Sequence, residues 1–283
     1  METGTTTFKG ATGLEISADV AGPIDGQPLI LLHGGGQTRG SWQDTTSVLG
    51  GLGYRVYSLD ARGHGESTYD PAGDYTIGAF ADDLRAVIRQ IGGRPFLIGA
   101  SLGGIISLVV SGEDGPDAAA GVVLVDVAVS TDPYGVKRIQ DFMRANPEGF
   151  ADLEEAADAV AGFATDRPRP KSTKGLERNL RLRNGRWFWH WDPAFLESFH
   201  ISHTTSQERL EAAARALEVP VLLVHAAHSE VIGEREIEQL QMLVPHSEYV
   251  RVADASHMVV GDRNSAFNRA IVDFLSAHRV SSQ

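Results

Sequence analysis

The chain has 283 residues, is 42% hydrophobic, carries a formal net charge of −12 at pH 7 and contains no cysteine. That length and apolar fraction suit one large globular domain or two smaller ones, and the absence of thiols excludes disulfides, thiolate metal sites and a cysteine nucleophile. Acidity without a long basic run argues against nucleic acid or an anionic membrane as partner.

The first residues lack the charged start and apolar core of a secretion signal, and nothing approaches the run of about 18 apolar residues that a membrane span needs. The expectation is a cytoplasmic protein. Residues 14 to 20 alternate weakly, as an early edge strand would. Pro28 to Leu32 is a continuous apolar run that ends in His33 and three glycines, which predicts a buried parallel strand entering a loop with unusual dihedral angles. A helix is predicted over Ser41 to Leu52, stopped by Gly53, and a second buried strand over Arg55 to Leu59. Asp60 and the turn-rich stretch from Ala61 to Ser67 follow.

Ile77, Phe80, Ala81, Leu84, Val87, Ile88 and Ile91 repeat at the spacing of an amphipathic helix, ended by Gly92 and Gly93. Pro95 to Ile98 reads as the strand that delivers Gly99 to Gly104, Leu102 to Val110 as the helix leaving it, and Gly121 to Val129 as a further strand. Strand and helix alternating at this spacing predict a mainly parallel central sheet with helices on both faces. From Ser130 to about Ala214 the rhythm breaks. This insertion shows helical patterns, no apolar strand, and the aromatic cluster Arg186 to Pro193. The rhythm returns with a strand over Val219 to His225, a helix around Glu234 to Val244, a strand over Glu248 to Val252 and a last helix over Asn264 to Ala277.

The chemistry concentrates on Ser101. A serine hydroxyl needs a base to take its proton and donors to hold an oxyanion. Gly-x-Ser-x-Gly between strand and helix supplies the strained turn that exposes such a serine, with Gly99, Gly103 and Gly104 as its small neighbours. The N–H of Leu102, opening the helix, is one oxyanion donor. The second is placed in His33-Gly34-Gly35-Gly36, with Gly35 the first candidate and Gly36 the second, and His33 orients that loop. The same stretch imitates a dinucleotide-binding unit, but Arg39 stands where the third glycine would be. For the base, His257 follows the strand Glu248 to Val252 and precedes the last helix. The acid is Glu230, with Asp126 as the alternative, since both fit the order serine, acid, histidine.

With HGGG, DARGHGES, GASLGG, the carboxylate loop at Glu230 and SHMVVGDR over both halves of the chain, the sequence resembles the α/β-hydrolase superfamily, in its capped, epoxide-hydrolase-like and esterase-like branch. The resemblance implies a core over 1–130 and 215–283 and a mostly helical cap, or lid, over 131–214. Ser101 departs from the aspartate that epoxide hydrolases and haloalkane dehalogenases carry, which leaves acyl transfer. Aspartate is the family's more frequent residue at the position of Glu230, and this keeps Asp126 in play.

Trp187, Trp189, His190, Trp191 and Phe195 in the cap, with Trp42 after the glycine loop, are candidate walls for an apolar or aromatic substrate, or else glue between cap and core. His200 and His203, like His225 and His228, are spaced three apart but lack the companions of a metal site. Arg62, His64 and Glu66 brace the turn beside the site. The expectation is a serine hydrolase acting on a carboxylic ester or lactone, without cofactor or metal, whose partner is a small-molecule substrate; a homodimer is compatible. C–C bond hydrolysis, perhydrolysis, amide or carbamate cleavage, and a ligand receptor on the same scaffold are the alternatives.

Overall fold

The computed structural model describes residues 3–163, 173–201, 203–256, 260 and 265–279. Its strands in chain order are β1 (Thr3–Lys9), β2 (Glu15–Ala21), β3 (Pro28–Leu32), β4 (Arg55–Leu59), β5 (Phe96–Ala100), β6 (Gly121–Val125), β7 (Leu180–Arg183), β8 (Arg186–Trp189), β9 (Val221–His228) and β10 (Glu248–Ser256). All but β7 and β8 form one sheet of eight strands in the order β1-β2-β4-β3-β5-β6-β9-β10. β2 is antiparallel to both β1 and β4, and the strands from β4 to β10 are parallel. The helices are α1 (Gln43–Gly51), entered through a short 3-10 turn over Arg39–Trp42, α2 (Ile77–Ile91), α3 (Leu102–Asp114), α4 (Pro133–Arg144), α5 (Leu153–Phe163), α6 (Lys174–Glu177), α7 (Pro193–Ile201), α8 (His203–Arg215), α9 (Glu234–Leu243) and α10 (Ser265–Ala277).

The central strands read as unbroken apolar runs because both of their faces are covered. Leu29, Leu31, Phe96, Ile98, Val123 and Val125 point to the side where Leu49 of α1 and Phe267 and Phe274 of α10 pack. Ile30, Leu32, Leu97, Val122 and Leu124 point to the side of α2, α3 and α8. The chain order reverses between β3 and β5, which are hydrogen-bonded neighbours with Leu32 opposite Gly99. That reversal opens a crevice beyond the carboxyl ends of the two strands, the usual ligand position in such sheets, and it sets the glycine loop after β3 beside Ser101 after β5. Among the described residues no helix is long and apolar enough to cross a membrane.

Three expectations need correction. The edge strand is β1, which periodicity does not show because only Phe8 of its Thr-rich run is buried; the strand expected at the edge, β2, is internal. The insertion also contains strands, since β7 and β8 form an antiparallel hairpin with Leu180 opposite Trp189. Its signal was Asn184-Gly185, both at positive φ (50° and 79°), the residue pair a two-residue hairpin turn prefers. Finally, α8 lies inside the interval read as a lid but packs against α3: Leu210, Ala213 and Ala214 join the core, and a β-carbon added at Gly112 of α3 would lie 2.1 Å from the Ala213 carbonyl oxygen. The side chains of the insertion that reach the glycine loop come from α4, from the stretch after β8 and from α7.

Candidate active site

Ser101 stands between β5 and α3 at φ 46°, ψ −115°, a left-handed conformation that costs a non-glycine residue roughly 1–3 kcal/mol and persists only where its surroundings enforce it. Those surroundings are visible. The Ser101 N–H is tied to the Val125 carbonyl at 3.0 Å. A β-carbon at Gly99 would sit 2.2 Å from Gly103 O, one at Gly103 2.3 Å from Leu32 O, and one at Gly104 2.4 Å from Val127 Cγ1. The three glycines of the motif are therefore a steric requirement of the turn. Gly104 and Ile105 donate back to the Ser101 carbonyl, while the N–H of Leu102, in the first turn of α3, has no partner among the described residues.

The glycine loop lies against this turn: a β-carbon at Gly34 would be 3.4 Å from Ser101 Cβ, and one at Gly35 4.0 Å from Leu102 Cδ2. Gly34 N–H donates to Gln37 Oε1 at 3.1 Å and Gly36 N–H to His64 Nε2 at 3.1 Å. The Gly36 N–H is thereby occupied, and the Gly35 N–H is the one in the loop without a partner among the described residues. Of the two expected donors, Gly36 is thus engaged with His64, and Gly35 is left free among the described residues.

Three buried imidazoles hold this loop, and their partners fix each tautomer. His33 donates from Nδ1 to Gly34 O at 2.8 Å and accepts the Ala61 N–H on Nε2 at 3.0 Å. His64 donates from Nδ1 to Arg62 O at 3.0 Å, leaving Nε2 to accept from Gly36. His190 accepts the Gly65 N–H on Nδ1 at 2.8 Å and donates from Nε2 to Gly36 O at 3.2 Å. Burial pushes His33 down to about 4 and His64 down to about 3, and it holds His190 well below the ordinary imidazole range. All three are neutral near pH 7.

The turn after β4 is braced as expected. Arg62 is buried, with its guanidinium on both oxygens of Asp83 at 2.6 and 2.8 Å and on Asp70 at 3.0 Å. Asp60, also buried, accepts the Arg39 and Glu66 N–H groups at 2.7 and 2.9 Å and is ion-paired with the Arg39 side chain. Glu66 pairs with the same arginine at 2.5 Å.

The two candidate acids occupy different environments. Glu230, just past β9, is 58% exposed and its carboxylate is ion-paired with Arg138 of α4. Asp126, the first residue past β6, stands at φ 51° and is 1% exposed. Its Oδ1 accepts the Ala226 N–H at 3.0 Å and its Oδ2 the Ser229 hydroxyl at 2.7 Å. Ser229 Oγ itself accepts from the N–H groups of Val231 and Ile232 at 3.1 and 3.2 Å, so its single proton is directed at Asp126. Ser229 carried no signal in the sequence, because what it does depends on a residue 103 positions away. β10 ends at Ser256, paired with His228 of β9; the expected base, His257, lies outside the described residues.

The aromatic candidates separate into four roles. Trp42 is fully buried on the α1 and α10 side of the sheet, 6.2 Å from the Phe267 ring, and is part of the core there. Trp187 exchanges backbone hydrogen bonds with Phe150, and Trp189 packs edge-on to the Phe150 ring at 5.3 Å and stacks on Trp191 at 5.0 Å, so the first two knit the cap together. Trp191 and Phe195 do approach the loop: a β-carbon at Gly36 would lie 3.4 Å from the Trp191 ring and 2.8 Å from Met143 Cε, and one at Gly35 3.2 Å from the Phe195 ring. Met143, on the buried side of amphipathic α4, was missed because nothing in the sequence of that helix points to the crevice. His190 is a strut between the insertion and the core, bonded to Gly65 and Gly36.

A model of the family described as alpha/beta hydrolase fold matches residues 27–263. The esterase Rv0045c of Mycobacterium tuberculosis is 28% identical over 251 residues, 84% of this chain and 79% of that protein. The N-formylmaleamate deformylase of Pseudomonas putida is 29% identical over 252 residues, 88% of this chain and 89% of that protein. Among solved structures, E-2-(acetamidomethylene)succinate hydrolase superposes with a TM-score of 0.85 at 20% identity, covering 97% of this chain and 100% of that one.

Proposed function

The chain belongs to the α/β-hydrolase family, and on that premise we propose that it is a serine hydrolase that cleaves a carboxylic ester or lactone of a small to medium apolar or aromatic substrate through an acyl-enzyme. One observation carries the reading: Ser101 is held at positive φ between β5 and α3, with the N–H groups of Leu102 and Gly35, which have no partner among the described residues, beside it. In this mechanism Ser101 Oγ attacks the carbonyl carbon as its proton passes to His257, and the carbonyl oxygen takes up negative charge facing those two N–H groups. Collapse of the tetrahedral intermediate releases the alcohol, which receives the proton from His257. Water then attacks the acyl-Ser101 ester by the same route in reverse roles and releases the acid.

We assign the acid to Asp126 and not to Glu230. A triad carboxylate must orient an imidazole and stabilise its cation from a fixed, desolvated position. Asp126 is 1% exposed, with its carboxylate held by the Ala226 N–H and the Ser229 hydroxyl, whereas Glu230 faces solvent and Arg138. The apolar side chains against the glycine loop, Met143, Trp191 and Phe195, favour an uncharged acyl or alcohol group. A second reading, amide cleavage on the same residues, draws on the deformylase relative and requires only that His257 protonate an amine in place of an alcohol. A panel of p-nitrophenyl esters, lactones and N-acyl amides on wild type and Ser101→Ala tests both. Turnover that Ser101→Ala abolishes supports the assignment, and undiminished kcat in that variant overturns it.

A further inference from the structure

The N–H offered to the oxyanion belongs to a loop of three consecutive glycines, the residues least able to hold a peptide plane in one orientation. Three backbone groups of that loop are each held by a different buried imidazole: Gly34 O by His33, Gly36 N–H by His64 and Gly36 O by His190. Two of these histidines come from the core. The third comes from the lid, immediately after β8. Its ring is fully buried, and its other nitrogen accepts the Gly65 N–H. Further bonds seat this stretch on the core: Tyr69 donates to His190 O at 2.5 Å, Asp192 N–H to Gly63 O at 2.9 Å, and Tyr75 to Asp192 Oδ2 at 2.6 Å.

We propose that His190 is a positioning residue of the oxyanion hole: by donating to Gly36 O it anchors the far end of the glycine loop, two peptide planes beyond the one (Gly34 C=O and Gly35 N–H) that His33 holds directly, so that the aim of the Gly35 N–H depends on the seating of the lid. This rests on the serine hydrolase reading. It explains why a lid residue is fully buried with both ring nitrogens on backbone groups of the core. Gly36 adopts φ 75°, a conformation open to flipping unless both sides of the residue are anchored.

The test compares His190→Gln, which retains an N–H donor at the distance of Nε2, with His190→Asn, which retains an acceptor for Gly65 but withdraws the donor from Gly36, and with His190→Leu. For each full-length variant the readouts are kcat and KM on a p-nitrophenyl ester, the inhibition constant of phenylboronic acid, whose tetrahedral serine adduct places an oxygen in the hole, and Tm. The expected result is a kcat about 30–300-fold lower in His190→Asn and His190→Leu, KM within threefold, boronate affinity weakened by a similar factor, and His190→Gln within tenfold of wild type. Wild-type kcat and boronate affinity in His190→Asn overturn the proposal, as do equal losses in the Gln and Asn variants that follow Tm. If Ser101→Ala is inactive while His190→Asn is not, only the positioning role falls; if Ser101→Ala retains turnover, the hydrolase reading falls with it.

Discussion

Replacing Asp126 with asparagine removes one charge and leaves the shape almost unchanged, and the structure says where the damage falls. Oδ1 has to accept from the Ala226 N–H at 3.0 Å, so the new amide nitrogen takes the Oδ2 position, 2.7 Å from Ser229 Oγ. That hydroxyl already accepts two N–H groups and donated its proton to the carboxylate. Two donors then face each other in a buried site, at a cost of about 1–3 kcal/mol of stability. On the proposed assignment of the acid, the larger effect is on catalysis: without the buried negative charge the imidazolium loses its partner and the wrong tautomer is favoured. In a serine-protease triad that change lowers kcat about 10⁴-fold, or about 5 kcal/mol of barrier. Glu230→Gln breaks an exposed ion pair worth about 0–1 kcal/mol and is expected to keep kcat within threefold. Both variants are assayed on the same ester with Tm measured alongside. A larger loss of kcat in Glu230→Gln than in Asp126→Asn would refute the reasoning, since it would mean that the surface carboxylate orients the base.

Gly99→Ala pushes a β-carbon to 2.2 Å from Gly103 O, where backbone meets backbone; a loss of at least about 1–3 kcal/mol is expected, with kcat falling as the elbow shifts. Gly51→Ala on α1, whose added carbon meets nothing within 4 Å, is expected to leave kcat unchanged and Tm equal or higher; chemical denaturation of the pair reads both. Arg62→Leu strands the buried Asp83 and Asp70 carboxylates and is expected to cost about 3–5 kcal/mol, so a Tm within about 2 °C of wild type would contradict the brace. His33 and His64 stay neutral in the folded protein down to about 4 and about 3, whereas in the unfolded chain they protonate near 6.5. The unfolded state therefore binds more protons below that value. Their stabilisation is complete above about pH 6.5 and declines as pH falls, by about 2 kcal/mol each at pH 5. Tm measured from pH 7 to pH 5 should drop, and a flat profile would show that these imidazoles are not buried neutral.

The sequence by itself determined the parts whose cause is local. Gly99, Gly103 and Gly104 had to be small because the turn at Ser101 closes on its own backbone, and strands such as β3 and β6 were legible because burial on both faces writes an uninterrupted apolar run. His33 could be read as a support of the glycine loop because its partner, Gly34, is the next residue. What remained open joins residues far apart in the chain. Two carboxylates satisfied the same serine, acid, histidine order, and only packing separates a buried Asp126 bonded to β9 from a Glu230 held by Arg138 at the surface. His190 looked like one member of an aromatic stretch. Its contacts with Gly65 and Gly36, 125 and 154 positions away, exist only in the folded tertiary structure, because hydrogen-bond partners at that separation leave no periodicity for a sequence to display.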